Sequence, residues 1–135
     1  MITGGAMAID IKHDQDRQML NIIISETFDL DELISTFEAI TNSRDYPPNI
    51  RAMWDFRKAD ISSVNADIIN RLVEIRSHFT KRSNCRSALI VSSDLQYGFS
   101  RMFEMLTDGK IPHQLKVFRE YEEAEQWVLN KRISG

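Results

Sequence analysis

Apolar and polar residues follow two spacings along the chain, and these spacings predict nine secondary-structure elements. Ile9, Ile11 and His13 alternate with charged residues, and the β-branched run from Met19 to Ser25 follows a polar turn, which together predict a β-hairpin. Apolar positions at helical spacing then predict four helices that alternate with three more strands. In chain order, these elements are marked by Leu30, Leu33, Ile34, Phe37 and Ile40 (helix), Ile50 to Phe56 (strand), Val64, Ile68, Leu72, Ile75 and Phe79 (helix), Ser87 to Ser92 (strand), Phe99, Met102, Phe103 and Leu106 (helix), Leu115, Val117 and Phe118 (strand), and Ala124, Trp127 and Val128 (helix).

Residue types that start and stop helices agree with this division. Asp29 stands where a helix N-cap is expected, and Pro47-Pro48 breaks the first helix before the third strand. Ser93 or Asp94 is placed to cap the helix that follows the fourth strand. The resulting order, ββαβαβαβα, predicts a single-domain α/β fold in which a mixed, mostly parallel sheet of about five strands packs with helices.

Length and composition limit the classes of protein that fit. The chain has 135 residues, of which 42% are hydrophobic, and this is enough to bury one core without disulfides or metals. Residues 1–7 are mostly small and contain glycine, so we interpret them as a flexible leader or an expression remnant, and residues 8–135 as one domain. The net charge of −3 argues against a nucleic-acid partner. The apolar runs are too short to span a bilayer and no secretory signal precedes them, so we expect a cytoplasmic protein without a transmembrane segment.

Polar residues at the carboxyl ends of the predicted strands are the first candidates for chemistry, because ligands of open α/β sheets gather there. Asp55 and Ser92 invite comparison with a phosphoacceptor receiver domain. Such a domain also needs a pair of acidic residues and a lysine, whereas this chain offers Glu26 alone and Arg119 near the lysine position. We therefore favour a structural role for these residues.

Nucleophile, metal and cofactor sites are not indicated. Cys85 is the single cysteine, and the three histidines are scattered along the chain without an orienting third group. No spacing typical of a metal site and no glycine-rich phosphate loop is present, and the basic residues around Cys85 fit a solvated loop. We expect no catalytic residue, no metal and no cofactor, and a protein that is not an enzyme. Besides Cys85, the side chains considered for such sites are His13, His78, His113, Lys81, Arg82 and Arg86.

The segment "VSSDLQYGFSRMFEML" contains the best candidate for a small binding site. A cap at Ser93 or Asp94 would leave backbone N–H groups at a strand end, where they could hold an anion. Tyr97 and Arg101 are four residues apart and therefore lie on one side of the helix. The alternative is structural: Tyr97 packs at the sheet edge, and Arg101 pairs with an acid such as Glu104 or Glu26.

Two longer segments resemble a known family. "SALIVSSDLQYGFSRMFEML" and, further on, "LKVFREYEEAEQWVL" are similar to the SpoIIAA-like proteins, which are related to STAS (sulfate transporter and anti-sigma-factor antagonist) domains. The resemblance implies a small α/β fold that works by protein–protein contact. It also implies a phosphorylated serine at the start of the helix after the third strand. Ser62 and Ser63 come slightly early for that position and are the candidate phosphoacceptors.

Two hypotheses for function follow. The first is a non-enzymatic STAS-like interaction or regulatory module with an unidentified protein partner, or a second copy of itself, bound at the apolar edge of the hairpin or on the helix from Val64 to Phe79. The second is a small-molecule or lipid-binding module with a pocket between sheet and helices, lined by Trp54, Phe99, Met102, Phe103 and Met105. Candidate ligand or partner contacts are Trp54, Asp55, Ser93, Asp94, Tyr97 and Arg101.

Overall fold

The computed structural model describes residues 7–77, 85–111 and 114–129. Over these residues it contains five strands and four helices in the predicted order ββαβαβαβα, which confirms the order. The elements are β1 (Ala8–Asp14), β2 (Met19–Thr27), α1 (Leu30–Asn42), β3 (Arg51–Asp60), α2 (Ala66–Ser77), β4 (Arg86–Ile90), α3 (Asp94–Thr107), β5 (Gln114–Phe118) and α4 (Tyr121–Leu129).

All five strands form one sheet, in the order β1-β2-β3-β4-β5. β1 pairs with β2 in the antiparallel direction, and every later pair is parallel. The predicted single-domain α/β fold with a mixed, mostly parallel sheet is therefore confirmed. Since each parallel strand lies beside the one before it, successive right-handed crossovers carry α1, α2 and α3 over the same face of the sheet.

The two faces of the sheet have separate cores. We call the side covered by α1, α2 and α3 the three-helix face; it buries Leu20, Ile22, Trp54 and Leu89 in the larger core. The opposite side, which we call the α4 face, buries alternate residues of the same strands against α4. Its core consists of Met19, Met53, Ala88, Ile90, Ala124 and Val128.

Side-chain caps set the starts of the helices. Asp29 accepts a hydrogen bond from the Glu32 N–H at 3.1 Å, which confirms it as the N-cap of α1. Of the two candidates before α3, Ser93 is the cap. The Asn65 side chain accepts from the Ile68 N–H at 2.9 Å, so α2 begins after Asn65 and not at Val64, as the apolar spacing predicted.

β3 runs four residues beyond its predicted end at Phe56, and it contains a β-bulge. Asp55 is paired with Ile23 and Lys58 with Ser25, so β3 has one more residue than β2 between these pairs. The extra residue reverses the alternation of the strand. As a result Ala59 is buried in the larger core and Lys58 is exposed.

The larger core also reaches the start of the described chain. Met7, which the sequence analysis placed at the end of a leader, is 5% exposed and packs in that core. None of the helices in residues 7–77, 85–111 and 114–129 is long and apolar enough to cross a membrane.

Candidate functional site

The candidate residues of the sequence analysis do not form one surface. Trp54 and Asp55 are neighbours in β3, so their side chains point to opposite faces of the sheet. Trp54 is buried under the three helices, whereas Asp55 lies on the α4 face. Ser93, Asp94 and Tyr97 are brought together at the start of α3, and Arg101 lies one turn further along the same helix.

Asp55 is held by Arg57, two residues further along β3. Its two carboxylate oxygens accept from the Arg57 Nε at 2.9 Å and from the Arg57 Nη2 at 2.8 Å, and Oδ1 also accepts from the Arg57 backbone N–H at 3.0 Å. Burial alone would raise the pKa of Asp55, but the hydrogen bonds from Arg57 outweigh it, and the pKa is lowered below 3.8. Asp55 therefore holds the β3 bulge in place as an ionised carboxylate.

Tyr121 of α4 completes this cluster. The Arg57 guanidinium lies over its ring, 5.6 Å from the centroid, and its hydroxyl donates to the Asn21 side chain on β2 at 3.0 Å. Burial raises the pKa of Tyr121, and the nearby Glu125 carboxylate raises it further. The protonated hydroxyl thus joins α4 to the sheet.

Arg119, which follows β5, organises the start of α3. Its Nη2 donates to the Ser92 carbonyl at 3.0 Å and to the Asp94 carboxylate at 2.9 Å, and its guanidinium lies 5.2 Å from the centroid of the Tyr97 ring. Arg119 thus lies beside the predicted group of Ser93, Asp94 and Tyr97, and it already forms an ion pair with Asp94. The Asp94 carboxylate is almost fully exposed, so this ion pair is screened by water.

Gln96, which the sequence analysis did not single out, joins three segments of the chain. Its side-chain N–H₂ donates to the carbonyls of Phe56 and Ala59, at 2.9 and 3.0 Å, and its Oε1 accepts from the Ser92 N–H at 2.8 Å. Gln96 is 6% exposed, so these bonds replace water for the two β3 carbonyls and for the Ser92 N–H. Ser93 and Gln96 match a capping box, and that signal could have drawn attention to Gln96.

On the outer side of α3, Tyr97, Arg101 and Met105 recur every four residues and form an exposed stripe, which we call the α3 stripe. Tyr97 is 37% exposed and Met105 65%. Arg101 forms an ion pair with Glu104 at 2.9 Å, as in the structural alternative, and Glu104 also accepts a hydrogen bond from the Val117 N–H of the edge strand β5.

Ser62 and Ser63 lie in the exposed loop between β3 and α2. The Ser62 N–H donates to the Asp60 carboxylate at 2.9 Å, which forms a local turn. Asn65, not a serine, occupies the N-cap of α2. Ser63 lies two residues before that cap, close to the helix N-terminus but outside the helix.

A cavity of about 140 Å³, partly open to the surface, lies between the three-helix face and the helices above it. All but four of its lining residues in the described chain are apolar; the four are Arg76, Ser87, Gln96 and Ser100. Trp54, Phe99 and Phe103 line it, as the ligand-binding hypothesis expected, whereas Met102 and Met105 do not. Over the described residues α2 packs more closely against α3 than against α1, and residues of all three helices line the cavity.

No group of three metal-ligating side chains occurs within the described ranges. Cys85 is buried just before β4. His13, on β1, packs edge-on against the ring of Tyr46, with 5.0 Å between the ring centroids. His78, Phe79, Lys81, Arg82 and His113 lie outside the described residues.

The chain was compared with known proteins. No family model matches it, and no curated protein matches it. A solved structure of an uncharacterised protein of the DUF3478 family, from Shewanella loihica PV-4, has a SpoIIAA-like fold and is 21% identical; the match covers 95% of this chain and 97% of that chain, with a TM-score of 0.60.

An anti-sigma factor antagonist from Mycobacterium paratuberculosis is also similar in structure. It is 10% identical, and the match covers 96% of this chain and 100% of that chain, with a TM-score of 0.63. At these identities the likeness concerns the fold. The chain therefore has a SpoIIAA-like fold, as the resemblance in its sequence implied.

Proposed function

We propose that this protein is a non-enzymatic regulatory module of the cytoplasm that acts by binding another protein. The observation that carries this proposal is the match of nearly the whole chain to the whole of an anti-sigma factor antagonist. An antagonist of an anti-sigma factor acts on another protein, and we propose the same mode of action for this chain. Residues 8–135, with Met7 in the core, are proposed to act as one unit.

The α3 stripe is the proposed contact surface. Interfaces are enriched in tyrosine, methionine and arginine, and these are the three residue types of the stripe. Arg119 stacks on Tyr97 and holds its ring in place, which lowers the entropy lost on binding.

Affinity capture tests this proposal. The tagged chain and two variants are incubated with lysate of the source organism, and the bound proteins are quantified by mass spectrometry. One variant carries Tyr97→Ala and Met105→Glu; the control carries Gln126→Ala on the exposed side of α4. We expect a protein, of the anti-sigma factor class if the likeness extends to function, that the wild type and the control retain and the α3 variant loses. Equal recovery with all three chains would contradict the assignment of this surface.

A second copy of the chain is the alternative protein partner. Strand β1 lies at one edge of the sheet, and Ile11 on it is 37% exposed. Sedimentation velocity over a range of concentrations measures the mass directly. A dimer that dissociates when Ile11 is changed to Lys would support pairing at this edge, and a monomer at all concentrations would exclude it.

Phosphorylation of Ser62 or Ser63 is a separate proposal, taken from the resemblance in the sequence. A phosphate on Ser63 would lie near the N-terminus of α2, where the helix dipole favours negative charge. Incubation with lysate and ATP, followed by phosphopeptide mapping, tests it. Phosphate found elsewhere, or none, would remove both serines from consideration.

The cavity supports a second candidate function, the binding of a small apolar ligand. An engineered cavity of roughly 150 Å³ lined by apolar residues binds benzene, so a volume of this size accepts a single ring or a short chain. Titration with benzamide, followed by NMR of the aromatic and methyl signals, tests this candidate. Shifts confined to residues of the cavity would support it, and no shift up to millimolar concentration would count against it.

A further inference from the structure

We infer that two copies of this chain pair along β1 in the antiparallel direction, with Ile11 of one copy opposite Ile11 of the other. The two five-stranded sheets then form one continuous sheet across the contact. This inference rests on the second copy named above as the alternative protein partner. It adds the residues that meet and the register in which they meet.

The two edges of the sheet differ in how open they are. At the β5 edge, the Glu104 carboxylate accepts a hydrogen bond from the Val117 N–H at 3.3 Å, so a side chain of α3 already covers part of that strand. All seven residues of β1 pair with β2 in unbroken register, and the outer side of β1 pairs with no other described strand. A regular edge without a bulge or a proline is a template for a further strand. A second strand is therefore expected at β1 and not at β5.

The side chains of β1 form two rows. Ile9 packs against the larger core, so Ile9, Ile11 and His13 lie on the three-helix face. Asp10 and Lys12 lie on the α4 face, where their side chains are 63% and 69% exposed and only 4.0 Å separates their charged atoms. One row is thus mainly apolar, and the other carries one charge of each sign.

These charges are complementary to themselves in one register. In an antiparallel pair centred on Ile11, each residue before Ile11 faces the residue equally far after it in the other copy. Asp10 of each copy therefore lies opposite Lys12 of the other, and both cross-strand pairs join opposite charges. On the three-helix face the two Ile11 side chains meet, and this contact covers apolar surface that is exposed in the single chain.

Neighbouring registers fit less well. A centre at Asp10 or at Lys12 would place two like charges directly opposite each other, which is unfavourable. A centre at His13 would pair Lys12 with Asp14, but Arg17 already holds the Asp14 carboxylate, with 2.7 Å between Nε and Oδ2. Ile11 is also the middle residue of β1, so the register centred on it pairs the strand over its whole length.

The size and place of this contact determine how the dimer behaves. A pair of single edge strands is smaller than the usual interface of about 800 Å² per partner, so we expect a dimer that dissociates on dilution. The α3 stripe lies at the other end of the sheet, since α3 packs beside β5. Pairing at β1 therefore leaves the α3 stripe accessible to another protein.

Charge reversals test the register. Lys12→Glu and Asp10→Lys each turn both cross-strand attractions into repulsions, so each should weaken the dimer at least about tenfold. An equimolar mixture of these two variants should dimerise again, because two acidic positions then face two basic ones. Lys116→Glu, the same kind of change on the edge strand β5, is the control and should leave the dimer as it is. Sedimentation velocity over a range of concentrations measures the mass, and circular dichroism checks the fold.

Cysteine substitutions locate the centre of the pair. Opposite Cα atoms of an antiparallel pair lie about 4.5 to 5.5 Å apart, within the range of a disulfide, so Ile11→Cys should form a covalent dimer on mild oxidation. In the same register the two copies of Ile9 are four residues out of line, roughly 14 Å apart, so Ile9→Cys should not. The wild type, whose Cys85 is buried, gives the background. Electrophoresis without reducing agent measures the covalent dimer.

The outcomes separate this inference from the proposal on which it rests. A monomer at every concentration would overturn both. A dimer that is unchanged by the charge reversals, or that cross-links faster through Ile9→Cys than through Ile11→Cys, would overturn the register and leave a second copy as the partner. Loss of the dimer in both charge variants without recovery in their mixture would likewise overturn the pairing of Asp10 with Lys12.

Discussion

The two faces of this sheet are built from the same strands but packed in different ways. On the α4 face, Met53, Ala88 and Ile90 are completely buried under one short helix. On the three-helix face, Trp54 and Leu89 keep part of their surface open to a cavity, although three helices lie above them. The difference teaches that the number of covering helices does not determine packing density. The closeness of the helices does, and over the described residues α2 lies closer to α3 than to α1.

Truncation of one buried side chain on each face is expected to give the largest difference in the free energy of unfolding between the two faces. Ile90→Ala on the α4 face should lower the free energy of unfolding by about 4 kcal/mol, because a fully packed site leaves a cavity. Leu89→Ala on the three-helix face should cost only about 2 kcal/mol, since some of its surface has no partner to lose. Urea unfolding of both variants measures the difference, and equal losses would show that the two faces are equally well packed.

Removal of the Gln96 side-chain amide is expected to have the next largest effect. Gln96→Leu keeps the size but leaves the Phe56 and Ala59 carbonyls and the Ser92 N–H without their partner, so we expect a loss of about 2 to 3 kcal/mol. Gln96→Glu keeps the acceptor for Ser92 and removes the two donors, and it should be destabilised most at neutral pH. Thermal unfolding at pH 7 and pH 5 checks both variants. Stability close to the wild type would mean that water replaces these bonds.

Substitution by leucine at two adjacent positions of β4 compares the packing of the two faces with the same residue type. Ser87 faces the cavity, so Ser87→Leu should fill space and raise the free energy of unfolding by about 1 kcal/mol. Ala88 faces α4 and is fully buried, so Ala88→Leu should lower it by about 1 to 3 kcal/mol through overpacking. Chemical denaturation gives both values, and a change of the same sign at both positions would contradict the assigned packing.

The ion pair between Asp55 and Arg57 on the α4 face is expected to make a small, pH-dependent contribution to the free energy of unfolding. Because the pKa of Asp55 is lowered in the folded state, its ionisation stabilises the protein above the ordinary value of 3.8, and this contribution is lost as the pH falls through the lowered pKa. Asp55→Asn should therefore be less stable than the wild type by about 1 kcal/mol at pH 7, since Arg57 is partly exposed to solvent, and the gap should close below pH 4. Asp45→Asn, at an exposed position, is the control. A gap that stays constant from pH 7 to pH 3 would exclude ionisation as its cause.

Local sequence patterns predict the order and type of the elements well, because each depends on near neighbours. The Asp29 cap and the alternation in β2 are examples. Asp29 needs only the following N–H groups, and β2 alternates since its two faces meet different cores. The SpoIIAA-like resemblance rests on patterns of the same kind.

Features that depend on distant partners could not be predicted in this way. Gln96 acts through Phe56 and Ala59, about 40 residues earlier in the chain, and the cavity depends on how far apart two helices lie. Trp54 and Asp55 are both candidate contacts in the sequence, yet strand geometry puts their side chains on opposite faces of the sheet. The contact of Arg76 with the ring of Phe37 likewise joins α2 to α1, whereas the spacing of apolar residues describes each helix separately.

The β3 bulge has a consequence for how this chain tolerates changes in length. If the extra residue between Asp55 and Lys58 were deleted, the ladder would become regular, and Lys58 would still pair with Ser25 and Ala59 with Glu26, so both would keep their faces of the sheet. If β3 became regular at its present length, the Lys58 ammonium group would instead turn to the apolar core in place of Ala59. A related sequence that has lost the bulge is therefore expected to be one residue shorter at this point and to keep a polar residue in place of Lys58.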